Sequence, residues 1–111
     1  MWELFSRQPM FMSTPIAIEF TDATVVSVSS RQISTSLGAE QAILQLDTGK
    51  YFSLNPVGAR VWQLLGQPRS IGEVLATLLT EYEVPADRCR ADLLALVGKL
   101  QVAGLVEVRS A

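Results

Sequence analysis

At 111 residues, 49% of them hydrophobic and 18% charged, the chain has the length of one domain with a lightly charged surface, leaving apolar area for a partner. A net charge of −2 argues against nucleic acid, whose phosphates require clustered Lys and Arg. The absence of histidine and the single cysteine exclude an intramolecular disulfide, the usual zinc sites, and the Ser-His and Cys-His nucleophile pairs.

The first segment, residues 1–23, carries aromatic and Met residues, but Glu3 precedes Arg7 and no long apolar stretch follows, so it makes a poor signal peptide. Met10 and Met12 are further candidate start sites. This extension is expected to be mobile or to cover an apolar patch. No run in the chain approaches the ~18–20 apolar residues that a membrane helix needs. Together with the cysteine count, this points to a cytoplasmic protein with no membrane partner.

Strand signals come next. Residues 24–28 alternate weakly, and residues 32–37, Gln-Ile-Ser-Thr-Ser-Leu, are β-branched enough for a strand that ends at the Gly38 turn. In residues 41–46, Ala42, Leu44 and Leu46 share one face, and Gln41, Ile43 and Gln45 the other. Asp47-Thr48-Gly49 reads as a hairpin turn whose glycine supplies a positive φ. Residues 50–54 follow, with Phe52 and Leu54 on one face and Tyr51 and Ser53 on the other. Such short connections make the three later runs an antiparallel meander.

Three helices are predicted after the strands. Asn55 stands at an N-cap and Pro56 at the first helical position, where its missing N–H costs nothing. Val57, Val61, Leu64 and Leu65 recur at helical spacing up to Gly66, which is expected to stop the helix. Ser70-Ile71-Gly72-Glu73 fits a capping box, and Ile71, Val74, Leu75, Leu78, Leu79 and Tyr82 form the stripe of the second helix. The third runs from near Pro85 to Ala103, with Leu93, Leu96, Val97 and Leu100 toward the core and Gly104 as C-cap. Residues 105–108 are a candidate last strand. The architecture is α+β, winged helix-turn-helix-like: a three-stranded antiparallel sheet followed by three helices.

Most eye-catching side chains have a plain structural explanation. Cys89, between Arg88 and Arg90, reads as an inert helix-face thiol. Trp62 and Tyr82 read as packing residues, Arg60 as a solvated charge, and Glu81 and Glu83 as a solvated helix end without an acid–base partner.

The motif Gly49-Lys50-Tyr51-Phe52-Ser53-Leu54-Asn55-Pro56-Val57-Gly58-Ala59-Arg60-Val61-Trp62, then Arg69-Ser70-Ile71-Gly72-Glu73, then Asp92-Leu93 and Leu96-Val97, ending in Leu100 and Gly104-Leu105-Val106, resembles the PqqD-like family. Its members are leader-peptide recognition elements of ribosomally made, post-translationally modified peptides. The likeness spans residues 24–108 and is nearest to the free-standing leader-binding proteins of lasso peptide pathways.

The resemblance implies a non-catalytic chaperone that binds the leader of a precursor peptide as an added strand. It would present the precursor to a leader peptidase and an ATP-dependent cyclase, without cofactor or metal. The edge would be Lys50, Tyr51, Phe52, Ser53 and Leu54, whose unpaired backbone groups give affinity nearly independent of leader sequence. The opposing wall would be the side of the third helix bearing Arg90, Leu94, Gly98 and Gln101 at spacings of three and four, with Val97 included. Mid-helix, Gly98 costs ~1 kcal/mol relative to alanine and would let a ligand side chain approach closely. The rival reading is a winged-helix DNA-binding transcriptional regulator, against which the mixed charges of the third helix argue.

Overall fold

The computed structural model describes residues 20–109. The expected meander is present: β2 (Gln32–Leu37), β3 (Glu40–Gln45) and β4 (Tyr51–Leu54) form an antiparallel sheet in the order β2-β3-β4. Gly38 and Gly49 adopt φ of 65° and 73° in the two connections, where a side chain would be strained. A second sheet was not expected. It has the order β5-β1-β6, built from β1 (Val25–Val28), the two-residue β5 (Arg69–Ser70) and β6 (Val106–Arg109). The weak early run therefore belongs to the other sheet, where Val25 stands opposite both Ser70 and Arg109.

Helices α1 (Pro56–Leu64), α2 (Ile71–Glu81) and α3 (Ala86–Val102) begin as their local chemistry requires. Asn55 accepts from the Gly58 N–H at 2.8 Å. Ser70 and Glu73 form the reciprocal capping box, the Ser70 hydroxyl accepting from the Glu73 N–H at 3.1 Å and the Glu73 carboxylate from the Ser70 N–H at 3.0 Å. Gly104, at φ 77°, ends α3 as expected. Gly66 does not end α1 in that way: Leu65 is the C-cap, bonding to Val61 and Trp62 carbonyls with ordinary negative φ. A tightened last turn satisfies these carbonyls, so no left-handed residue is needed.

The core lies where the helices meet the inner faces of the sheets. Ile43, Leu54, Val61, Leu65, Ile71, Val74, Leu78, Leu93, Leu96, Leu100 and Leu105 are all buried in one cluster. Trp62 is buried too, its indole N–H donating to Ser34 Oγ at 3.2 Å, which ties α1 to β2. Cys89 is fully buried, and burial, with a smaller push from Asp92, raises its thiol pKa, so it is inert packing.

The face of β3 turned to the core carries Gln41 and Gln45 around Ile43, while Ala42, Leu44 and Leu46 look outward. Gln45 explains itself. Its side-chain carbonyl accepts from the N–H groups of Asp47 and Thr48, at 2.6 and 2.9 Å, and its amide donates to the Gly104 carbonyl at 3.3 Å. One buried amide thus shapes the β3–β4 hairpin and fastens it to the end of α3. Position 104 favours glycine by its positive φ, and a Cβ there would also stand 2.9 Å from that amide nitrogen and push it off its bonds.

Candidate functional site

The backbone of β4 sets the geometry of the candidate edge. β4 is the last strand of its sheet, paired on one side only, with β3. The Gln45 N–H donates to the Lys50 carbonyl at 2.9 Å, which makes that pair hydrogen-bonded. Bonded and non-bonded pairs alternate in an antiparallel ladder, so Ile43 with Phe52 and Gln41 with Leu54 are bonded as well. The N–H and C=O groups of Tyr51 and Ser53 therefore point away from β3, to the open edge. Lys50 lies just outside the strand and belongs to the turn, its N–H bonded to Thr48 Oγ1 at 3.2 Å.

Side chains beside this edge divide by face. Phe52 and Leu54 turn inward, Leu54 into the core and Phe52 against it. Tyr51 is 73% exposed and lies in one cross-strand row with Leu44 and Ile33 on the outward face of the sheet. The fastening of Gly104 to Gln45 sets the C-terminal end of α3 beside the hairpin that leads into β4.

On α3, the expected wall residues have distinct surroundings. Leu94 and Gln101 are half-buried, and Leu94 packs on the margin of the core. Val97 is not a surface residue: it is 1% exposed, because it shares the inward stripe with Leu93 and Leu100. Arg90 and Gly98 are engaged by residues that sequence reasoning did not single out. Asp22 grips the Arg90 guanidinium with both carboxylate oxygens, one pair at 3.2 Å, and the Phe20 ring reaches the space over Gly98. Ahead of β1, Phe20 and Asp22 belong to no periodic pattern that would have marked them. The part of the N-terminal extension before Phe20 lies outside the described residues.

Charge around the site is largely paired. The hydrogen bonds from Arg90 hold the Asp22 carboxyl below the usual carboxylate range, and those from Arg60 do the same for Glu81, at 2.7 and 2.8 Å. Arg60, expected as a solvated charge, is thus a clasp between α1 and the end of α2. Arg88 pairs with Asp92 at 3.5 Å, so both arginines of α3 are neutralised locally and the helix presents no basic stripe to a duplex. No group of three potential metal ligands occurs among the described residues, and none of their helices is long and apolar enough to cross a membrane.

An open-edged meander leading directly into three helices, with no assembled catalytic group among the described residues, defines a small winged helix-turn-helix-like binding domain. The family of coenzyme PQQ synthesis protein D (PqqD) matches residues 40–106, more than half of the chain, and this protein belongs to that family. Two solved structures are similar. TbiB1 in complex with the TbiA(beta) leader peptide is 31% identical with a TM-score of 0.68, over 73% of this chain and 94% of that one. A lasso peptide synthetase B1 complexed with the leader peptide is 26% identical with a TM-score of 0.66, over 74% and 96%. No curated protein matches the chain.

Proposed function

We propose that this protein is a non-catalytic chaperone in the biosynthesis of a ribosomally made peptide natural product of the lasso class, where it binds the leader of the precursor. The observation that carries this reading is the likeness to TbiB1, which spans nearly the whole of a protein solved with a leader peptide. The open edge of β4 supports it physically. Tyr51 and Ser53 offer outward donors and acceptors to an added antiparallel strand, and the side of α3 bearing Leu94, Gly98 and Gln101 supplies the second wall. Phe52 lies between the outward pair, and Lys50 and Leu54 flank it. Arg90, paired with Asp22, borders that wall.

Bound this way, the precursor is held through its leader and its remainder stays free for enzymes. A leader peptidase and an ATP-dependent cyclase of the same pathway are the partners this role requires. Titration of a fluorescein-labelled TbiA(beta) leader peptide into the full chain, followed by anisotropy, tests the reading. Saturable binding in the micromolar range, with the peptide intact after prolonged incubation, is expected. Absence of binding, or cleavage of the peptide by the isolated protein, overturns it.

A further inference from the structure

Part of the α3 face that a leader would approach is already occupied by the chain itself. Residues 21–24 form a turn in which the Thr21 N–H donates to Thr24 Oγ1 at 2.9 Å and the Thr24 N–H to the Thr21 carbonyl at 3.1 Å. The start of α2 anchors this turn: the Gly72 N–H donates to the Asp22 carbonyl at 3.0 Å and the Ile71 N–H to the Thr24 carbonyl at 2.9 Å. From that anchor two side chains reach α3. The Asp22 carboxylate forks onto Arg90, and Phe20 Cε2 lies 4.0 Å from where a Cβ at Gly98 would stand.

The two attachments differ in kind. Asp22 is fixed by a backbone bond and by its charge-assisted fork. Phe20 packs by apolar contact on the margin of the core beside α3, and a swing at the Phe20–Thr21 junction breaks none of the bonds named above. The ring roofs the space above Gly98, one turn beyond Leu94, and leaves room for a small side chain beneath it.

We propose that this notch over Gly98 is the leader's anchor position for an aromatic or large aliphatic side chain, that Phe20 covers it in the free protein, and that a leader must displace Phe20 to bind. The inference rests on the leader-binding reading. It adds the class of side chain read at Gly98 and an internal competitor that sets the apparent affinity. Exchange of one ring for another conserves buried apolar area, so displacement is balanced by the leader's own anchor. Apparent affinity is the intrinsic one reduced by the fraction of protein with the notch open. A ring seated nine-tenths of the time weakens binding about tenfold.

The test uses the full chain with labelled TbiA(beta) leader peptide. Phe20→Ala should tighten binding about tenfold, and Gly98→Leu, which fills the notch from below, should abolish it. Arg31→Gln, which breaks the surface pair with Asp47 away from α3, serves as the control and should leave affinity unchanged. In the wild type, NMR contacts between the Phe20 ring and the α3 residues around Gly98 should vanish when leader is bound; thermal melts identify any variant that fails to fold. Unchanged or weaker binding by folded Phe20→Ala, or Phe20 ring contacts to α3 that persist in the complex, overturns the competition while leaving the leader-binding reading intact. Absence of binding by wild type and Phe20→Ala alike overturns the leader-binding reading and this proposal with it.

Discussion

Saturating the protein with leader should leave a residue-by-residue signature along β4. Tyr51 and Ser53 direct their N–H groups to the open edge, whereas those of Phe52 and Leu54 already bond to β3. An added strand therefore gains up to four backbone bonds, from two donors and two acceptors. At about 1 kcal/mol net each these total about 4 kcal/mol, a millimolar affinity before the cost of ordering the peptide. Backbone pairing alone cannot hold a leader tightly, and on the proposed reading side-chain anchors against α3 supply the remainder. At leader concentrations 100 times the dissociation constant, newly bonded amides gain about 2.7 kcal/mol of protection, roughly a hundredfold slowing of exchange. Amide-resolved hydrogen exchange, by NMR with and without TbiA(beta) leader peptide, measures this directly. Tyr51 and Ser53 should slow by that factor, Phe52 and Leu54 by much less, and residues 56–64 of α1 hardly at all. Protection that appears on α2 and α3 while Tyr51 and Ser53 stay unchanged would mean that the leader docks as a helix, and strand addition would be wrong.

Other expectations follow from particular contacts. Leu94→Glu should weaken leader binding by about 2–4 kcal/mol, as when an interface anchor is opposed, with the circular dichroism of the fold retained; unchanged affinity removes α3 from the site. Gln45→Ala strands two hairpin N–H groups and the Gly104 carbonyl, and should cost about 1–3 kcal/mol in urea unfolding, so an unshifted midpoint would show water replacing it. Asp22, Asp47 and Glu81 all titrate lower when folded because arginines bond to them. Their contribution to stability is complete above ordinary carboxylate values and is lost as pH falls through the depressed folded ones. Melting temperature should accordingly drop on acidification, and Arg60→Gln should flatten the Glu81 share of that drop; an identical pH profile would show the clasp to be idle.

Local signals in the sequence were read well because their causes are local. The Asn55 cap, the Ser70 box, the positive-φ glycines 49 and 104 and the meander each depend on neighbours within a few residues. The second sheet was not legible, since β5 has only two residues and β1 finds its partners at positions 69–70 and 106–109. Period-two alternation divided the residues of β3 between faces but could not choose the inner one. Gln41 and Gln45 look solvent-bound in composition, yet hairpin geometry requires a buried amide at Gln45. At the candidate site, the Asp22–Arg90 pair joins residues 68 apart in sequence, and no motif predicts a contact of that span.

The pairing of β1 with β6 also bears on the order in which the chain can acquire its structure. The β2–β3–β4 meander closes through turns of a few residues, so it can form early and cheaply on its own. The other sheet joins Val25 to Arg109 across nearly the whole described chain, and its closure entropy is offset only when the helices between have docked. During synthesis the β6-facing side of Val26 and Val28 must wait for Val106 and Val108 to emerge. The portion with the exposed strand edge therefore precedes the portion that locks the two ends, and a stalled or truncated chain would display that edge to whatever strand it first meets.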